Sequence, residues 1–512
     1  MTRRLVVVGD TLLDRDVEGV VNRLCPDSPV PVLDENNSMD RPGGAGLAAL
    51  FAAGRGFEVS LVTALADDEG GARLSRLLTA GGVQVYGLPL PGATPEKIRL
   101  RTRGRVLLRH DRGGPAGPPG EPSEAVLELL AGAAGILVSD YGRGVARLPA
   151  LRAALAGTAA PIVWDPHPRG PAAVPGVRLA TPNEVEAREL AGVTTGGSRL
   201  ATAGRCAQAL RQRWRVGAVV VTLGGDGALL CHAGSTPLVV PPPTRADGDT
   251  CGAGDRFAAA ATVALADGAL VSEAVQQGVV EASGYVAGGG VASAVPATPA
   301  RSPAARHHGG PGQGVRRSGD AVPVAAVDWS DRIGHRAAGE VVARVRADGG
   351  TVVATGGCFD LLHAGHVATL EAARQLGDCL VVCVNSDESV AALKGSDRPL
   401  VRHADRARLL AALGCVDAVV VFDESTPHAA LAWLRPDIWV KGGDYGTGAD
   451  GPELPEAEIM QRWGGHTVVV PYLDGRSTTE MITAARTGHG AAARTGHGAA
   501  ARTGHGPVGR AR

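Results

Sequence analysis

Two glycine-rich runs carry the residues best suited to chemistry in this 512-residue chain. The first, Asp249-Thr250-Cys251-Gly252-Ala253-Gly254-Asp255, stands just before an Ala-rich helix expected over Arg256–Ala266. Two glycines around an alanine at a helix N-terminus expose backbone N–H groups at the positive end of the helix dipole. That makes an anion hole for a phosphoryl group in transit. Asp255 lies at its edge, where a carboxylate can take a proton from an attacking hydroxyl. On spacing alone the run also fits a plain capping turn. The second run, Thr355-Gly356-Gly357-Cys358-Phe359-Asp360-Leu361-Leu362-His363-Ala364-Gly365-His366, follows a strand and opens a helix. Its HxGH element sets two imidazoles three residues apart at a helix start. There they can donate to a nucleotide α-phosphate as charge builds on it and on departing pyrophosphate. No general base is needed if the nucleophile is itself a phosphate dianion. Metal ligation or burial in a core is the competing reading of these histidines.

The elements that must hold these runs are legible as alternation. Leu5–Val8, Val59–Leu65, Gly135–Ser139, Pro161–Trp164 and Ala218–Leu223 read as buried strands bounded by Gly, Asp or Pro, with helical lengths between several of them. A Pro-, Gly-, His- and Arg-rich stretch from about 294 to 323 then marks the domain boundary. Beyond it, Thr351–Thr355, Cys379–Val384, Ala418–Phe422, Ile438–Val440 and Thr467–Val470 read as strands, interleaved with helices at Ala364–Leu376 and Asp405–Leu413. The fold class expected is α/β in two domains, the second a doubly wound parallel sheet. The boundaries are 1–300, a linker over 301–334, a second domain over 335–485 and a tail over 486–512. The tail repeats Arg-Thr-Gly-His-Gly from Arg486, Arg494 and Arg502 and has no apolar face, so it is expected to be disordered.

Composition narrows the partners. With 51 basic and 52 acidic residues the formal charge is −1, so no global field favours nucleic acid or an anionic membrane. No apolar run approaches the ~18 residues of a membrane span, and the N-terminal run is too short for a signal peptide. Eight scattered cysteines without a CxxC pair argue against a zinc site or disulfide framework and for the reducing cytoplasm. Only three basic residues are lysine: Lys97, Lys394 and Lys441. In so Arg-rich a chain, a retained lysine either marks a place where a compact ammonium is wanted or survives by chance.

A further cluster, Arg41-Pro42-Gly43-Gly44-Ala45-Gly46, precedes a helix expected over Leu47–Ala53. With it, residues 1–300 resemble the ribokinase-like carbohydrate kinases, which pair a GG-rich motif near the start with a DTxGAGD motif near the end. The resemblance implies that Asp10, Gly43 and Gly44 bind sugar. It also implies that Asn183 and Glu184 of Thr181-Pro182-Asn183-Glu184 lie near the nucleotide and its magnesium. Thr222, Gly224 and Gly225 of Thr222-Leu223-Gly224-Gly225-Asp226-Gly227 would contact the nucleotide. Asp255 would deprotonate the acceptor hydroxyl while the Gly252, Ala253 and Gly254 amides and magnesium hold the γ-phosphate. Lys97, with Arg109 in Arg109-His110-Asp111, would bind a phosphate already on the sugar, unless these residues form a solvated basic face. Two positions depart from the family: Leu47 replaces an asparagine that contacts sugar, and Cys251 replaces a threonine. The leucine leaves a silenced or altered kinase open.

Residues 335–485 resemble the HxGH nucleotidyltransferases of the cytidylyltransferase-like superfamily. Here the resemblance implies nucleotide and phosphate contacts by Gly357, Phe359, Lys394, Lys441, Gly442 and Asp444, and by Ser477, Thr478 and Thr479 of an ST motif. His363 and His366 are the expected catalytic pair. The order of the domains resembles the bifunctional heptose kinase–adenylyltransferases, a likeness that extends to Val6–Arg15 and Leu361–Val367. It implies ATP and heptose phosphate as substrates: phosphorylation of heptose 7-phosphate at C1, then adenylyl transfer to heptose 1-phosphate, giving ADP-heptose. Mg²⁺ with ATP is the expected cofactor, with no fixed protein metal site, and a homodimer in the cytoplasm is expected. A transferase-only enzyme, another sugar, or CTP as the nucleotide remain alternatives.

Overall fold

The computed structural model describes residues 3–193, 198–232, 236–246, 248–290, 329–443 and 454–471. Among these residues fourteen strands form one sheet and four form another. Across the large sheet the strands begin at residues 418, 379, 352, 438, 466, 238, 228, 219, 179, 162, 135, 4, 58 and 83. Each of the ten strands expected from apolar runs is present, and most pairings are parallel. The reason is local: Val6, Val8, Val219, Val221, Val353 and Val382 are fully buried, as a parallel sheet covered by helices on both faces requires. The α/β expectation with two successive layered domains therefore holds.

In the large sheet the halves share one ladder pair, Leu238 with Val469, where the Val469 amide donates to the Pro237 carbonyl at 3.0 Å. Leu238, Leu454 and Val469 join the apolar cluster of the first half there. Of the linker expected over 301–334, residues 329–334 are described and lean on the second half. Ile333 bridges Val419, and Arg332 donates to the Val416 carbonyl at 3.0 Å. The repeat tail lies outside the described residues.

The four-stranded sheet (Ser28–Gly44, Thr11–Cys25, Gly92–Thr102, Arg105–Pro115) was not legible in apolar runs. Charged pairs hold it. Asp14 stands opposite Arg41 on one side and Lys97 on the other, Arg15 binds Asp40 at 2.7 Å, and Arg41 binds Asp16 at 2.5 Å. The sheet grows directly from the large one, because only Asp10 separates the strand Arg4–Gly9 from the strand Thr11–Cys25. Its far strand ends at Gly44, which caps the helix Ala45–Ala52. The junction of the two sheets is where the first site lies. Among the described residues no helix is long and apolar enough to cross a membrane.

Candidate active sites

The first site is built around the N-terminus of the helix Ala253–Ala266. Gly252 caps it at φ 82, a left-handed conformation that glycine adopts without strain. A Cβ there would lie 2.8 Å from Leu47 Cδ2, so Leu47 forms the floor beneath the turn. Leu47 is buried in one cluster with Phe51 and Tyr285. It therefore supports the anion hole from below. Tyr285 adds a second prop by donating to the Cys251 carbonyl at 2.8 Å.

Asp255 follows in the first helical turn and is 5% exposed. Burial raises its pKa to about 7, and Asp14 and Glu186 push the same way; a hydrogen bond from Tyr141 and the charge of Lys97 oppose them. The Tyr141 hydroxyl reaches both carboxylate oxygens at 2.9 Å. Tyr141 and Glu186 were not singled out in the sequence. Nothing near Tyr141 in the chain signals its partner, whereas Glu186 closes an Asn-x-x-Glu spacing after Asn183.

Other expected residues divide between cleft and scaffold. Thr222, Gly224, Gly225, Ala253 and Gly254 line one cleft of about 670 Å³, whose apolar wall includes Phe257, Val279 and Val286. Asn183 instead caps the helix Glu184–Ala191, accepting from Val185 and Glu186 amides at 2.9 and 3.0 Å. Glu184 is tied to Arg188 at 3.0 Å and to Arg199 at 2.5 Å. Asp10 is buried, and its carboxylate accepts from the amides of Tyr141 (3.2 Å), Arg143 (2.8 Å) and Val145 (3.1 Å). Four residues on, Asp14 lies near the base: its charge acts on both Asp255 and Cys251. A Cβ on Gly43 would stand 2.6 Å from Asp14 Oδ2, and one on Gly44 would strike the Asp10 carbonyl and the Tyr141 ring. Lys97 is half-buried and within electrostatic reach of Asp255. Arg109 is exposed and committed to Asp111 at 2.5 and 2.8 Å.

At the second site the strand Val352–Gly357 ends in a turn where Phe359 has φ 48, and His363 caps the helix Ala364–Arg374. The rings of His363 and His366 lie 3.9 Å apart, with Phe359 5.3 Å from His366. Burial, with the neighbouring charges of His363 and Lys394, pushes His366 down to about 4, so its imidazole is neutral at pH 7. Gly357, Phe359, His366, Lys394 and Gly442 line one cleft of about 610 Å³. Lys441 sits apart, its ammonium 2.7 Å from Glu456. Asp444, Ser477, Thr478 and Thr479 lie outside the described residues.

The sequence reading also missed Arg406. Its buried guanidinium donates to the carbonyls of Cys358 (2.5 Å), Asn385 (2.7 Å) and Val401 (2.8 Å) and to Asp387 (2.8 Å). Asp360 fastens the same loop from the other side through Arg398 and the amides of Leu400 (2.6 Å) and Val401 (3.0 Å). Among the described residues no three His, Cys, Asp or Glu side chains group as a metal cage.

Comparison with known proteins follows this division. Residues 2–298 match the pfkB family of carbohydrate kinases, and residues 354–470 match the cytidylyltransferase-like family. The bifunctional protein HldE of Streptomyces coelicolor is 51% identical over 487 residues, spanning 94% of this chain and 97% of its own. The HldE protein of Halorhodospira halophila is 37% identical over 490 residues, with the same coverage of both chains. A ribokinase from Arabidopsis thaliana aligns at TM-score 0.46 and 22% identity, over 57% of this chain and 96% of that one.

Proposed function

This chain belongs to the HldE family of bifunctional proteins and is a heptose 7-phosphate kinase joined to a heptose 1-phosphate adenylyltransferase, and we propose how its residues divide that work. In the kinase, Asp255 takes the proton of the C1 hydroxyl. A carboxylate near pKa 7 is well matched to that transfer at neutral pH. The Gly252, Ala253 and Gly254 amides face the γ-phosphate. Asp14, beside Gly43, is the carboxylate placed to hold sugar hydroxyls, while Asp10 fixes the loop that carries Tyr141. The adenine lies against Phe257, Val279 and Val286.

Enzymes of these types use ATP with a divalent metal, and Mg²⁺ is the ion proposed. The residues fit one: Asp165 is raised well above its ordinary range by burial and by the charges of Asp255 and Glu186. A divalent cation carried by the nucleotide would supply compensating charge, with Glu186 and Asp165 the groups to hold it.

In the transferase, His366 as a neutral imidazole donates to the α-phosphate, and His363 caps the helix facing it. Lys394 grips the acceptor phosphate. Gly357 and Gly442 line the cleft proposed for the nucleotide, and a Cβ on Gly442 would press on Thr369, which lines it too. Cytoplasmic location and homodimerisation belong to the same proposal. Val106 (52% exposed) and Leu108 (57%) leave apolar surface on the four-stranded sheet for a second copy to cover.

The observation that carries this reading is a buried aspartate at a glycine-capped helix start and an HxGH pair at another, in one chain alike to HldE over 94% of its length. The test is product mass from heptose 7-phosphate, ATP and Mg²⁺, with a phosphatase to free C7 before transfer. Wild type should yield ADP-heptose, Asp255→Asn neither bisphosphate nor heptose 1-phosphate, and His366→Ala heptose 1-phosphate without nucleotide sugar. Bisphosphate made at the wild-type rate by Asp255→Asn would sink the kinase assignment.

A further inference from the structure

We propose that Arg143 receives the phosphate already carried by the sugar, and so sets the kinase's preference for a phosphorylated acceptor; this rests on the kinase reading above. Two neighbouring arginines are already committed. Arg99 is bound to Asp14 at 2.9 Å, and Arg109 is held by both oxygens of Asp111. Among the described residues the Arg143 guanidinium has no ion pair. The two carboxylates that act on it most are engaged elsewhere, Asp10 by three backbone amides and Asp111 by Arg109. Arg143 is thus a half-buried cation with a vacant bidentate fork, which suits a phosphate better than a point ammonium does.

Its setting is fixed and shaped. The backbone amide of Arg143 is pinned to Asp10 at 2.8 Å. The flanking Gly142 and Gly144 hold φ 70 and φ 123, where side chains would meet His167 and Pro119. The side chain lines a small recess with Ala64, Leu90, Pro95 and Pro115 on its apolar side and Asp10 and Thr11 on its polar side. The apolar side strengthens a charge-assisted contact there. Neighbouring Arg169 and Arg109 add positive charge around it, so an arriving anion relieves repulsion.

Placement supplies the second leg. Tyr141 touches the base, and Arg143 follows two residues on, at most ~7 Å along the chain. A ring sugar with its C1 hydroxyl at Asp255 can therefore present its far end to Arg143. Lys97 stands between these points, within reach of both Asp255 and Asp111.

The test measures ADP release by the full-length chain with heptose 7-phosphate and with unphosphorylated heptose, for wild type, Arg143→Gln and Arg143→Lys. Arg143→Gln should raise KM for the phosphorylated sugar about 10- to 100-fold, as expected for losing a charge-assisted contact. Its kcat/KM for the unphosphorylated sugar should not change, and Arg143→Lys should recover part of the loss. Adenylyl transfer to heptose 1-phosphate at the wild-type rate shows that the variants are folded. An unchanged KM in Arg143→Gln, or an equal loss on both sugars, overturns the inference. Failure of wild type on heptose 7-phosphate overturns the kinase reading and this inference together.

Discussion

The Tyr141 hydroxyl lies 2.9 Å from each carboxylate oxygen of Asp255, so one donor spans both arms of the proposed kinase base. Burial holds that carboxyl near 7, and the tyrosine bond keeps it from rising further. Tyr141→Phe should therefore raise the Asp255 pKa. More of the base is then protonated at a given pH, so the acid limb of kinase kcat/KM moves to higher pH. The loss should be large near about pH 6 and small above about pH 8. A uniform loss across the profile would mean that the hydroxyl serves only packing.

Asp255→Asn removes the proton acceptor while keeping the side chain's size. Kinase turnover should fall by about 10²- to 10⁴-fold. Adenylyl transfer should be unaffected, because the second cleft is lined by residues 355–442 and contains no part of the first. Isotope-labelled ATP, followed separately into bisphosphate and pyrophosphate, distinguishes the two losses.

How far the sequence could be read follows from how local each signal is. Gly252, Asp255, His363 and His366 announce themselves because turn, helix start and chemistry fall within a dozen residues. Tyr141 does not, because its partner is 114 residues away and is reached only when the strands Arg4–Gly9 and Gly135–Ser139 pair. The four-stranded sheet escaped for another reason: its register rests on ion pairs such as Arg15–Asp40, which leave no apolar alternation to detect. The same sheet brings Asp14 beside Gly43, a neighbour that the linear sequence does not show, and this is why Asp14 is proposed alongside the expected Asp10. Leu47 reads as a lost sugar contact in the sequence, and the fold adds that it is the floor under Gly252.

That floor can be tested. Gly252→Ala forces a side chain into φ 82 and against Leu47 at 2.8 Å, displacing the amides proposed to face the γ-phosphate. Kinase kcat should drop by about 10-fold or more. Leu47→Ala in the same chain relieves the steric part but not the backbone part, so partial recovery is expected. A double-mutant cycle on kcat measures the coupling, and strict additivity would show that the two residues do not act on each other.

His366 should titrate near 4 in the free protein, well below an ordinary histidine. Because the charge of His363 helps to depress it, His363→Ala should move that titration upward, as read from imidazole NMR shifts. Transferase kcat/KM should then not fall, on account of His366 protonation, as pH is lowered from about 8 to about 6. His366→Ala should cost about 10²- to 10³-fold in adenylyl transfer and nothing in the kinase.

Arg406 offers the sharpest test of what holds the second cleft. Its side chain is fully buried, and it ties the Cys358 carbonyl, the end of the strand Cys379–Asn385 and the loop at Val401 to one another. Cys358 immediately precedes Phe359, whose left-handed φ of 48 is unfavourable for an aromatic residue and persists only if its surroundings enforce it. Arg406→Met keeps the volume but removes every donor, taking a partner from three carbonyls and from Asp387. About 3–5 kcal/mol of stability should be lost, because uncompensated buried partners remain. Arg406→Lys should recover only a fraction, since one ammonium cannot reach three segments at once. If the arginine also sets the turn, ATP KM in the transferase should rise in Arg406→Lys at temperatures where circular dichroism shows that variant fully folded. A lysine variant with lower melting temperature but wild-type ATP KM would confine Arg406 to stability alone.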